Sequence, residues 1–146
     1  MKENDQTGPY SDDEMIRLFR EGLFPIGDFT HKAHLRLAWI YLRRFGLETA
    51  QRELCRQIRE FTRIQGAQDK YHQTLTVAAI RIVQAHMAKQ RGEGFEALLA
   101  EYPVLLGAFR ELLGRHYSEG LLWSPQARLV YQEPDLEPFS SNPGAF

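Results

Sequence analysis

The chain has 146 residues, about one domain's worth, and folding at this length buries roughly 70% of the surface an unfolded chain exposes, so a core forms without staples. Its 18 basic and 19 acidic residues leave a formal net charge of −1, which excludes the electrostatic footprint of a nucleic-acid or anionic-membrane binder. Cys55 is the lone cysteine, so no intrachain disulfide forms and the chain suits a reducing compartment.

Residues 1–10 are read as a polar, loose segment rather than a signal peptide. The longest apolar run is Leu37-Ala38-Trp39-Ile40-Tyr41-Leu42, far short of the ~20 residues of a membrane-spanning helix. The expectation is a cytoplasmic protein with neither membrane nor nucleic acid as partner.

The capping box Ser11 to Glu14 opens a first short helix. Its stripe is Met15, Leu18 and Phe19, and Gly22, Pro25 and Gly27 make the following turn. Asp28 or Thr30 caps a second helix that runs to residue 45, with Gly46 as its stop. Leu35, Ala38, Leu42 and Phe45 fall on one face of it. A third helix covers about 47–64 with Leu47, Ala50, Leu54, Ile58 and Phe61 inward, and Gly66 closes it.

A polar loop over 67–70 precedes a fourth helix from about Tyr71 to Gln90, with Leu75, Ala79, Ile82 and Val83 facing in. After the turn at 91–94, a short fifth helix covers 95–101. Pro103 suits the first turn of a sixth, with Leu105, Ala108, Phe109, Leu112 and Leu113 on one side. Ser124 and Pro125 cap a last short helix ending near Val130. Pro134, Pro138 and Pro143 forbid helix beyond residue 133. The expected fold is a single all-α domain, an antiparallel helical bundle of about six helices with an extended proline-containing C-terminal tail over 133–146.

Four of the five histidines carry the functional signal. His31 and His34 are three apart, hence neighbours on the helix surface. At about 100° per residue both lie on the apolar face of the second helix. His72 opens the fourth helix, within about 20° of Ala79 and Val83 on its wheel. His116 ends the inner stripe of the sixth. If consecutive helices run antiparallel, His31, His34, His72 and His116 share one corner. His86 is 14 residues beyond His72 and about 21 Å away along the helix, at the opposite end.

Neutral imidazole is the commonest metal ligand, and three protein ligands with an open position suit a catalytic zinc or iron site. The plain alternative is a set of core-edge histidines bonded to backbone groups. Around the corner stand Lys70, Tyr71 and Thr74, then Tyr117, Ser118 and Arg128. Lys70, Tyr71 and His72 are the candidate catalytic groups, and Lys70, Thr74, Tyr117 and Arg128 the candidate substrate contacts. The helix starts and Lys70 favour an anion. The tail carboxylates Glu133 and Asp135 either reach the histidines or simply pack on the surface. Trp39 and Trp123 are assigned to the core, and Cys55 is read as inert.

Segments Phe29-Thr30-His31-Lys32-Ala33-His34-Leu35, Lys70-Tyr71-His72-Gln73-Thr74-Leu75-Thr76, His116-Tyr117-Ser118 and Glu133-Pro134-Asp135-Leu136 resemble recurring motifs of a family of small, uncharacterised bacterial all-helical proteins. The resemblance spans about residues 28–138 and implies no catalytic role, because that family has no assigned activity.

The functional expectation is a small metal-dependent enzyme acting on a small anionic molecule. The alternative is a non-catalytic small-molecule or anion-binding regulatory protein without metal. A third reading is an interaction module that pairs with a copy of itself or another chain. The partner read from the sequence is therefore a small-molecule ligand, with a homo-oligomer left open.

Overall fold

The computed structural model describes residues 10–139; residues 1–9 of the expected loose N-terminus and the tail beyond Phe139 lie outside them, while Tyr10, expected to be loose, is held by Asp28 and Arg36 at 2.6 and 2.9 Å. The described chain is all-α. Its eight helices are α1 (Asp12–Arg20), α2 (His31–Ile64), α3 (Gln73–Ala88), α4 (Phe95–Glu101), α5 (Val104–Gly107), α6 (Phe109–His116), α7 (Glu119–Leu122) and α8 (Pro125–Leu129). No helix among the described residues is long and apolar enough to cross a membrane. The chain divides into two compact units, residues 1–71 and 72–146.

In the first unit the local signals act as the chemistry requires. Ser11 and Glu14 form the complete capping box of α1. Thr30, not Asp28, caps α2, its hydroxyl accepting the Ala33 N–H at 3.2 Å. The 34-residue α2 is broken at Gly46, whose φ of 84° and ψ of 169° suit a residue with no Cβ. The two halves fold back on each other. Tyr41 donates to the Gln57 side chain at 2.6 Å, and the Phe29 and Phe61 rings lie 5.0 Å apart. Phe19, Phe24, Phe29 and Phe61 form a contiguous aromatic cluster. Burying each such ring stabilises by about 1.5–3 kcal/mol. Ion pairs from Arg36 to Asp12 at 2.7 Å and from Arg44 to Asp13 at 2.8 Å tie α1 to α2.

Phe45 departs from its expected place, being 44% exposed. It closes the half-helix before the Gly46 break, where the inner stripe runs out, and only its edge meets Tyr41. Cys55 is buried and is not in a disulfide.

In the second unit α3 carries a buried face of Thr74, Val77, Ala78, Ile80, Ile82 and Val83. This face differs from the expected one because the helix begins at Gln73, with His72 outside it as the cap. α8 packs against α3, and α6 also touches it. The Glu101 carboxylate accepts the N–H groups of Arg91 and Gly92 at 3.0 and 3.4 Å and so fixes the turn before α4.

The expected sixth helix is two pieces. It breaks at Ala108 (φ −143°, ψ 42°) into α5 and α6. A further short helix, α7, follows, capped by Ser118. Trp123 is corrected from core to surface at 45% exposure, because it closes α7 with its ring between His72 and the Arg110 guanidinium.

Candidate functional site

His31 and His34 belong to the first unit, at the start of α2. Both are exposed. The His34 ring stacks on Phe29 with centroids 3.7 Å apart, and Phe29 is itself held by Phe19 and Phe61. Among the described residues neither ring nitrogen of His34 has a hydrogen-bond partner; only its backbone N–H is bonded, to Thr30. The protein packed around the ring disfavours its charged form, and the neighbouring His31 adds to this, so His34 is lowered to about 4. Solvent at the open edge screens part of that penalty, but the direction leaves a neutral imidazole at pH 7 with an unshared lone pair.

His72 is differently employed. Its backbone is extended (φ −133°, ψ 109°), and its Nδ1 accepts the Leu75 N–H at 3.0 Å as the N-cap of α3. Nε2 then carries the proton and donates to the Leu122 carbonyl at 2.8 Å. Burial, with a further contribution from Arg128, lowers the His72 pKa. With both nitrogens committed, the ring offers no lone pair to a metal and no proton to a substrate. The helical wheel misplaced it because a cap lies outside the helix.

His116 is buried at the end of α6. Its Nδ1 donates to the Glu137 carbonyl at 2.8 Å, and its ring lies 4.8 Å from that of Phe139. Burial is the main cause lowering His86, and the charges of Lys89, Arg115 and His116 add to it. The antiparallel reading put His116 at the His72 end, about 21 Å from His86; its charge is felt at His86, and the helix that was to carry it there is broken at Ala108. Among the described residues no group of three or more His, Cys, Asp or Glu is arranged to hold a metal ion.

The other predicted contacts are distributed. Lys70 ends an exposed 3-10 turn. Tyr71 is buried, with the Arg59 guanidinium 5.0 Å from its ring centroid. Arg128, on α8, is near enough to His72 to disfavour its protonation. Thr74 and Tyr117 are buried and converge on one object, the C-terminal tail. The Thr74 hydroxyl donates to the Val130 carbonyl at 3.1 Å and accepts the Gln132 N–H at 3.0 Å. Tyr117 donates to the Gln132 carbonyl at 2.6 Å. Burial, then the adjacent Tyr131 hydroxyl, pushes the Tyr117 phenol well above its ordinary range, so it remains a donor.

Of the tail carboxylates, Asp135 finds Ser118. It accepts the Ser118 N–H at 2.9 Å and its hydroxyl at 2.6 Å, and these bonds hold the carboxyl below its usual range. Glu133 lies near Tyr117 and Tyr131. The Leu136 and Glu137 N–H groups cap the last carbonyls of α6, at His116 and Arg115, over 3.0 and 3.2 Å. The histidine-tyrosine-serine and glutamate-proline-aspartate-leucine segments are therefore two sides of one latch. Sequence reasoning missed that pairing. Its only signal was the number of hydrogen-bonding residues in 116–118 opposite a tail stiffened by prolines.

No family model, no curated protein and no solved structure matches this chain.

Proposed function

We propose that the chain is a non-catalytic, small-molecule-binding helical protein of regulatory type, which receives a small weak acid at the first turn of α2. One observation carries this reading: the exposed His34 ring stacks on Phe29, and among the described residues neither of its nitrogens is hydrogen-bonded; the protein around it disfavours its charged form. An ionised ligand brings no proton of its own, so the ring and the bound carboxylate share one taken up from solvent, and the helix start favours the anion. A general base works best with a pKa near the operating pH, and His34 at about 4 is far below it, so binding is favoured over proton-transfer catalysis.

The metal-dependent reading has a narrower basis. Neutral imidazole is the form that ligates zinc or iron, and the His31–His34 spacing supplies two such groups, with water and substrate to complete the shell. It is kept as the second reading for that observation.

Calorimetric titration separates the two. Wild type, His34→Ala and His86→Ala are titrated with acetate, benzoate and phosphate, and separately with zinc and ferrous ions. Binding of a carboxylate with proton uptake, lost in His34→Ala and kept in His86→Ala, supports the first reading. The same pattern for a metal supports the second. No binding of any probe, or equal loss in both variants, overturns the site.

A further inference from the structure

The C-terminal segment is held in the manner of a bound peptide. Along 130–139 its hydrogen bonds to the helices, among the described residues, are made by backbone groups and one carboxylate: the carbonyls of Val130, Gln132 and Glu137, the N–H groups of Gln132, Leu136 and Glu137, and Asp135; the Tyr131 ring adds a contact with the Arg81 guanidinium. The groups that receive it stand on the folded body. Thr74 is 0% and Tyr117 1% exposed, and His116 and Ser118 occupy the turn from α6 into α7.

The segment itself is shallow, with Glu133, Asp135, Leu136, Glu137 and Pro138 all exposed. Pro134 and Pro138 flank a bend at residues 135–137, and their fixed φ lowers the ordering cost of binding. Two features add selectivity. Asp135 takes both donors of Ser118, a charge-assisted arrangement. Four residues on, Phe139 sets its ring against His116 and Tyr117 at 4.8 and 5.9 Å.

We propose that this surface, built by α3, α6 and the start of α7, is a recognition groove for an acidic, proline-containing peptide on another polypeptide, and that residues 130–139 fill it in cis as an autoinhibitory strap. The ligand class follows from the contacts: a non-helical segment that bends at an aspartate, with prolines before and after it and an aromatic ring four residues beyond the aspartate. Side-chain donors clasp peptide carbonyls and serine reads the aspartate, much as extended peptides are recognised through backbone bonds with a few side-chain pockets. The strap is tethered directly to α8, so its effective concentration is high and a partner must compete with it. A strap with few buried apolar groups belongs to the part of a fold that opens below the global unfolding free energy. This inference involves the second unit only and does not depend on the proposed role of His34.

The test uses the full chain and a fluorescein-labelled peptide with the sequence of residues 130–139. The double variant Asp135→Ala, Leu136→Pro loosens the strap by removing the bonds to Ser118 and to the His116 carbonyl, and leaves every receiving group intact. Fluorescence anisotropy is expected to show peptide binding at least about tenfold tighter than to wild type, since the apparent affinity scales with the open fraction. Adding Ser118→Ala weakens it again, and a scrambled peptide does not bind.

Native-state hydrogen exchange on wild type is the second measurement. The Leu136 and Glu137 amides are expected to exchange through local opening while those of Val77, Ile80 and Val83 stay protected. A strap-exchanged dimer of wild type would make a second copy the source of the peptide and would support the groove. Absence of peptide binding to a loosened variant with native helical content overturns the proposal. So do equal binding by the scrambled peptide, loss of helical content in the loosened variant, or exchange of Leu136 and Glu137 only with global unfolding.

Discussion

Replacing His72 tests whether its ring is a structural cap. His72→Ala removes the acceptor for the Leu75 N–H and the donor to the Leu122 carbonyl. Loss of an N-cap costs about 1 kcal/mol. Leu122 is buried, and a buried carbonyl deprived of its partner costs about 1–3 kcal/mol. The expected destabilisation is about 2–4 kcal/mol, or about 5–15 °C in melting temperature for a chain of this size. His72→Asn keeps a capping oxygen and is expected to recover the capping share, about 1 kcal/mol. Metal ligation would give no such recovery.

The pH dependence follows with a definite sign. Burial lowers the folded-state pKa of His72 below its unfolded value of about 6.5, so the unfolded chain binds the proton first. This contribution to stability is complete above about pH 6.5 and is lost as pH falls through the lowered folded value. The physical reason is that a protonated Nδ1 cannot accept the Leu75 N–H. The assay is urea denaturation of wild type and both variants at pH 8, 6.5 and 5. Equal losses for His72→Ala and His72→Asn, with wild-type stability flat from pH 8 to 5, would refute the capping account.

In an NMR titration the His34 ring is expected to protonate with a midpoint near 4 and to contribute stability that fades as pH drops from about 6.5; a midpoint between 6 and 7 would contradict the crowded ring. Gly46→Ala is expected to lower stability by about 1–3 kcal/mol through backbone strain alone, since a Cβ there meets nothing within 4 Å; an unchanged denaturation midpoint would show that α2 runs straight through. Gln57→Leu leaves the buried Tyr41 hydroxyl without the partner it has at 2.6 Å and is expected to cost about 1–3 kcal/mol, with most of it recovered in the double variant with Tyr41→Phe. Additive losses in that cycle, measured by thermal denaturation, would mean that the two side chains are not coupled.

What lies within one or two turns of chain was legible from the residues. Ser11 with Glu14, Thr30, Gly46, and Ser124 before Pro125 place their helix ends correctly, because a cap or a positive φ is decided by neighbours in sequence. The 3.6-residue stripe likewise found Leu35, Ala38, Leu42, Leu54 and Phe61 in the core. The all-α class follows from those same local rules. The absence of helix over 133–139 follows from its prolines, although that stretch bends at 135–137 rather than running extended.

The histidine corner was a different kind of inference, since it joined residues far apart through an assumed succession of antiparallel helices. That succession holds across Gly46, where Tyr41 meets Gln57. Farther on, the expected sixth helix is broken at Ala108, and the charge of His116 is felt at His86. His72 escaped the wheel for a related reason: one residue outside a helix, its direction is set by cap geometry and by Leu122, fifty positions away. The latch between Ser118 and Asp135 spans seventeen positions. Whether a polar side chain becomes a ligand, a cap or a clasp depends on which partner the fold delivers to it. No periodicity in the chain encodes that partner, and only the tertiary packing of α3, α6, α7 and the tail decides it.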